Sequence, residues 1–204
     1  VDGVYMKAGL EREKTVLLCV IGVREDGTKE LLAMGEGYRE SKESWADVLR
    51  DLKFRGMNSP LLVIGDGALG IWSALNEVYP DSLHQRCWNH KIINILDKLP
   101  KAMHKEAKKR LREIYQADTV EQCKEWIRNY AQDLIVAGQN KAAVALTKDI
   151  EELTSFFNFP KEHWIHLRTT NPIESVFSGV RNRTKVVKRF RKRDNAKYMI
   201  FKLI

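Results

Sequence analysis

From Thr15 to Val23 the chain reads Thr-Val-Leu-Leu-Cys-Val-Ile-Gly-Val, with no charged residue. A β-rich apolar run of this kind suits a strand buried on both faces, and such a strand needs a covering layer on each side. Asp26-Gly27 then supplies a hairpin signal, and Leu31–Met34 reads as the returning strand. Ser41 is placed to cap a helix whose apolar positions Trp45, Val48, Leu49 and Leu52 keep the i, i+3, i+4, i+7 rule. Leu61–Ile64 is a short buried strand that stops abruptly at Gly65-Asp66-Gly67. A second helix follows, with Ile71, Trp72, Leu75 and Val78 on one face and Pro80 ending it. Ser82–Arg86 predicts a short fifth strand.

Beyond that point the periodicity is helical throughout. Ile92, Ile93, Leu96 and Leu99 mark one helix, and Leu111, Ile114 and Tyr115 end another. Thr119 with Gln122 forms a capping box for a third, whose buried face is expected to be Cys123, Trp126, Ile127, Tyr130 and Leu134. Ile150, Leu153, Phe156 and Phe157 close a fourth before Pro160. A last helix begins at Asn171-Pro172, a cap and first-turn pair, with Ile173, Val176, Phe177 and Val180 as its stripe. The expected organisation is therefore an α/β core over residues 1–87, an all-helical block over 88–160, and a return to the core over 161–204. In this scheme Asp2 ends a strand that pairs with Thr15–Val23. A strand needs about five residues, so the chain looks like a fragment, cut at its start and open to the same reading at its end.

Hydrophobic residues make up 44% of the 204, enough for one sizeable core with a helical appendage. The longest apolar run, Val16–Val23, is far short of the roughly 20 residues a bilayer demands, so no membrane role is expected. The three cysteines, Cys19, Cys87 and Cys123, are odd in number and far apart, which argues for reduced thiols and a cytoplasmic protein. The formal charge is +8, and its distribution matters more than its size. Arg181, Arg183, Lys185, Lys188, Arg189, Arg191, Lys192 and Arg193 crowd one segment, as phosphate contacts require.

Three acids carry the chemical interest. Asp66 stands where a buried strand ends, the place where open α/β sheets bind ligands; taken alone it reads equally as a turn aspartate. Asp2-Gly3 reads alone as a turn. Glu174 lies three residues after Asn171, a capping-box spacing in which its carboxylate reaches back to the Asn171 amide. Together the three fit a different demand. Two-metal phosphoryl transfer needs carboxylates from separate elements converging on ions about 3.5–4 Å apart, and magnesium takes such hard oxygen ligands. If the last helix continues, Glu174, Ser178, Arg181 and Lys185 share a face, so cations flank the acid; the plainer alternative is a solvated charged face. His84, Cys87 and His90 recur every third residue, but zinc normally takes four ligands and no second pair is spaced for it, which favours a packed Cys87 and a hydrogen-bonded His90. Trp164, ahead of Arg168-Thr169-Thr170-Asn171, either stacks on an unpaired base in a DNA-facing stretch that includes Arg168 and Asn171, or packs in the core.

At these residues the sequence resembles the Mutator-type transposases of bacterial insertion sequences. The matching segments are Val1-Asp2-Gly3-Val4-Tyr5, Tyr38-Arg39-Glu40-Ser41 through Trp45, Gly65-Asp66-Gly67-Ala68-Leu69-Gly70, Gln85-Arg86-Cys87-Trp88-Asn89-His90-Lys91 and Thr169-Thr170-Asn171-Pro172-Ile173-Glu174-Ser175. The resemblance implies a ribonuclease H-like mixed sheet with flanking helices, interrupted by an all-α insertion before the last catalytic helix. It places Asp2, Asp66 and Glu174 on the family's DDE positions and Cys87 and His90 on its C-x-x-H signature. It implies cleavage and joining of DNA at terminal inverted repeats with two magnesium or manganese ions, target DNA as second substrate, and a homo-oligomer on DNA. Arg168, Asn171, Arg181, Arg183, Lys185, Lys188 and Arg189 are the expected DNA contacts. Two other functions remain open: a structure-selective nuclease of the same fold, and a non-catalytic basic DNA-binding module.

Overall fold

The computed structural model describes residues 1–6, 15–24, 26–37, 40–171, 178, 198 and 201–202. Among them the chain is mixed α/β, with five strands and eight α-helices. It divides into two compact units, one of Val1–Ser82 with Thr170–Ile204 and one of Leu83–Thr169.

The first unit is built on an antiparallel meander, β1 (Asp2–Met6), β2 (Thr15–Val23) and β3 (Lys29–Gly37), in that spatial order. Val16 to Val20 of β2 are all almost fully buried, as the uncharged run requires. Gly27 takes φ +82° and its amide donates to the Arg24 carbonyl at 2.9 Å, closing the β2–β3 turn. The strand bearing Asp2 differs from expectation. Asp2 begins β1 rather than ending it, and the residues that follow make the ladder, with Asp2 opposite Cys19 and Met6 opposite Thr15. Residues after Asp2 supply the pairing that the sequence scheme had sought before it.

Helix α1 (Lys42–Phe54) starts where the Ser41 hydroxyl accepts the Ser44 amide at 3.2 Å, and it buries Trp45, Ala46, Val48, Leu49 and Leu52. Val48, Leu49 and Leu52 join Val16, Leu18 and Val20 in one core cluster. Strand β4 (Leu62–Gly65) leads into helix α2 (Leu69–Val78), which ends just before Pro80. Gly70 in the first turn of α2 permits a backbone-to-backbone approach: a Cβ there would stand 2.8 Å from the Ser41 carbonyl carbon and 3.0 Å from the Lys42 nitrogen. Neither neighbour is a side-chain tip that can swing aside. Gly70→Ala is therefore expected to destabilise the fold by about 1–3 kcal/mol, the usual range for overpacking; a urea midpoint equal to that of the parent would refute this.

The second unit contains strand β5 (Leu83–Arg86) and helices α3 (Trp88–Leu96), α4 (His104–Tyr115), α5 (Val120–Val136), α6 (Asn140–Thr147), α7 (Ile150–Thr154) and α8 (Trp164–Leu167). Thr119 caps α5 by accepting the Gln122 amide at 3.2 Å, while the Gln122 side chain reaches past the cap to the Asp118 amide at 2.9 Å. One expectation fails on α5. Its buried stripe is Cys123, Ile127, Tyr130, Ala131 and Leu134, and Trp126 stands 36% exposed. Ala131, 5% exposed, belongs to the stripe, which turns away from position 126.

Candidate active site

Two of the three acids singled out above lie among the described residues, and both belong to the first unit. Asp66 follows the last residue of β4. Its Oδ1 accepts the Ala68 amide at 2.8 Å, and Gly67 between them adopts φ +89°, a conformation that glycine reaches without strain. The turn reading is thus correct as far as it goes, but one hydrogen bond to one oxygen does not consume the carboxylate. Asp66 stays half-buried at the strand end.

Asp2 follows a residue that lies against β4. The Val1 nitrogen donates to the Ile64 carbonyl at 2.9 Å. A Cβ on Gly65 would lie 3.3 Å from Val1 Cγ2 and 3.2 Å from the Trp72 ring. The start of β1 therefore lies alongside the end of β4, and each acid stands at most two residues from a bonded atom of that contact. The Asp2 Oδ1 accepts the Gly3 amide at 2.8 Å. Its charge is felt across the strand pair: burial pushes the Cys19 thiol up to about 12, and Asp2 adds to that rise. Such a thiol is a packing residue rather than a nucleophile.

A third acid that the sequence mentioned only inside a motif also reaches this region. Glu40 lies just before α1, and a Cβ on Gly3 would stand 2.7 Å from its Cδ. Gly3 accommodates that carboxyl, much as Gly70 accommodates the Glu40–Lys42 backbone. No local signal marks Glu40, because the two glycines that admit it are distant in sequence. Among the described residues, no three His, Cys, Asp or Glu side chains are grouped closely enough to hold one ion. Glu174 lies outside the described residues, as do Arg181, Arg183, Lys185, Lys188 and Arg189. The unit that holds Asp2 and Asp66 does include Thr170 and Asn171, where the segment carrying Glu174 begins.

The other sequence candidates fall in or beside the helical unit. Cys87 is fully buried ahead of α3 and His90 is half-buried on it. Burial lowers the His84 pKa, with Glu152 opposing. Trp164 packs in the core: its Nε1 donates to the Phe159 carbonyl at 2.8 Å and its ring stands edge-on to Phe157 at 4.6 Å. Arg168 joins that packing, its guanidinium 5.0 Å from the Phe156 ring, 5.6 Å from Trp164 and 5.8 Å from Tyr115. Its carbonyl accepts the Trp88 amide at 2.9 Å. Asn171 is exposed, after the buried pair Thr169 and Thr170.

A cluster that the sequence did not reveal sits in the same unit. Asp149 accepts a hydrogen bond from Lys91 Nζ at 2.7 Å and pairs with Arg86, and the Lys91 side chain is only 2% exposed. Burial lowers the Lys91 pKa against the pull of Asp149.

An α/β unit with two aspartates at adjoining strand ends, joined to a helical unit, is the class of molecule described so far. The chain belongs to the Mutator family of transposases, whose family model matches residues 1–204. It is 50% identical, over its whole length, to the transposase for insertion sequence element IS6120 of Mycolicibacterium smegmatis, covering 63% of that protein. It is 46% identical over 95% of its length to the transposase for element IST2 of Acidithiobacillus ferrooxidans, covering 66%. A more distant relative, the transposase for element ISRM5 of Rhizobium meliloti, is 31% identical over 90% of the chain and is covered to 46%. The chain thus spans less than two thirds of the length of the curated relatives it matches. No helix among the described residues is long and apolar enough to cross a membrane.

Proposed function

We propose that this chain is the catalytic part of an insertion-element transposase, with a ribonuclease H-like core that cleaves DNA strands and joins the freed 3′ ends to target DNA. The observation that carries this is the placement of Asp2 and Asp66 at adjoining strand ends by the Val1–Ile64 bond, in a member of the Mutator family. Glu174 is the third acid of the proposed set. The donor chemistry fits: carboxylate oxygens are what magnesium or manganese takes. Bound there, two such ions would supply an activated hydroxyl and stabilise charge on the leaving oxygen.

The residues of the chain do the positioning. The Val1–Ile64 hydrogen bond holds the start of β1 beside β4, and the Gly65-Asp66-Gly67 turn holds the Asp66 carboxylate at the strand end. Arg181, Arg183, Lys185, Lys188 and Arg189 are proposed to hold phosphates of the reacting strand. The expected partners are the terminal inverted repeats and the target duplex, engaged by more than one copy of the protein.

Strand joining separates this function from that of a nuclease of the same fold. Given pre-cut element ends with free 3′-hydroxyls, a target duplex and magnesium, the protein is expected to produce joined DNA. Cleavage without any joined product would assign it to the nucleases, and binding without either reaction would leave only a basic DNA-binding module.

A further inference from the structure

The helical unit carries a run of cations that the proposed reaction does not use. Lys105, Lys108 and Arg112 stand at i, i+3 and i+7 on α4, the spacing of a single helical face, and Lys101 lies in the 3-10 turn Lys101–Met103 that leads into it. All four are exposed. The opposite side of α4 is anchored in the core by Ala107, Leu111 and Ile114, so this face is turned to solvent.

Two features distinguish the stripe from an ordinary charged surface. First, none of the four has an ion pair among the described residues, whereas Lys124 and Lys161 of the same unit bind Glu151 and Asp118 at 2.7 Å. Second, the acids of α4 do not fall within it. Glu106 and Glu113 stand three or four residues from Lys109 and Arg110 and from none of the four, so neither acid shares the face of the stripe. Four positive charges fall within twelve residues, and the three on α4 span about 10 Å at the helical rise. Duplex DNA carries one negative charge per about 1.7 Å of axis, so a stripe of this length meets several phosphates at once.

We propose that Lys101, Lys105, Lys108 and Arg112 form a phosphate track for duplex DNA, independent of base sequence. The assignment rests on the reading that the chain acts on DNA, and it adds a second contact surface, on the helical unit, to the basic segment after Glu174. Long flexible cations contacting phosphates give affinity and orientation, not sequence choice.

The test replaces all four residues with Gln and measures binding of a random-sequence duplex between 50 and 200 mM salt. Each phosphate contact contributes about 0.9 to the slope of log affinity against log salt, so the slope should flatten by about 3.6. Over that salt range the parent should lose about a hundredfold more affinity than the variant. A second variant with Lys101, Lys105 and Lys108 changed to Arg keeps the charge and should keep the slope. An unchanged slope in the Gln variant overturns the proposal and assigns the stripe to another partner, such as an acidic protein surface. A loss of affinity without flattening also overturns it. The Asp66→Asn protein, measured in parallel, keeps the two ideas apart. Normal cleavage by that variant sinks the catalytic reading alone, and an unchanged slope in the Gln variant sinks the track alone.

Discussion

Asp66→Asn is expected to cut metal-dependent strand cleavage by on the order of a thousandfold, about 4 kcal/mol in the barrier, while DNA binding is retained. The substitution is chosen for what it preserves. Asn keeps a carbonyl oxygen to accept the Ala68 amide, so the turn that Asp66 Oδ1 now closes at 2.8 Å survives. Gly67 keeps its positive φ, and α2 starts in the same place. What disappears is the negative charge at the strand end, and an amide oxygen is a far weaker partner for a divalent ion. Cleavage of an end-bearing duplex, binding of the same duplex and a thermal unfolding scan together decide the matter. Cleavage within a few-fold of the parent, from a protein that folds normally, would remove Asp66 from the chemistry.

Asp149→Asn is expected to destabilise the helical unit by about 3 kcal/mol or more, because it leaves two cations in a largely buried place without their counter-charge. Lys91 and Arg86 converge on this one carboxylate, with side-chain exposures of 2% and 14% against 17% for Asp149. Burial raises the Asp149 pKa, but the Lys91 hydrogen bond and the charges of Lys91, Arg86 and Lys148 more than offset it and hold the group below its ordinary value. The sign of the pH effect follows. A carboxyl whose folded pKa is depressed adds stability that is complete above its unfolded value, about 4, and that is lost as pH falls through the folded value. Chemical denaturation should therefore show parent and variant far apart at neutral pH and converging in acid. A gap independent of pH would mean that the loss comes from packing rather than charge.

The elements that local chemistry specifies were legible in the sequence. Uncharged Val16–Val20 had to be buried, Ser41 had to cap α1, and Pro80 had to stop α2. The turn after β4 was visible because glycines flank an aspartate. What escaped depended on partners far along the chain. The end of β1 on which Asp2 stands is settled by pairing with β2 rather than by any residue near Asp2. Helix α6 (Asn-Lys-Ala-Ala-Val-Ala-Leu-Thr) was missed because three alanines give a weak periodic signal. The hydrophobicity of Trp126 points inward, but the stripe turns to Ala131. Glu40 needed Gly3 and Gly70 to admit it, and the Arg86–Lys91–Asp149 cluster joins residues about sixty positions apart. The three rings against Arg168 come from elements that no motif associates with it.

The hydrogen bond from the Val1 nitrogen to the Ile64 carbonyl has a bearing on how such a pair of acids persists. The donor is a backbone nitrogen and the acceptor a backbone carbonyl, so this bond beside Asp2 and Asp66 does not depend on which side chains occupy Val1 or Ile64. Drift in the apolar positions around the pair can then proceed without retuning it, provided the two strands still lie side by side.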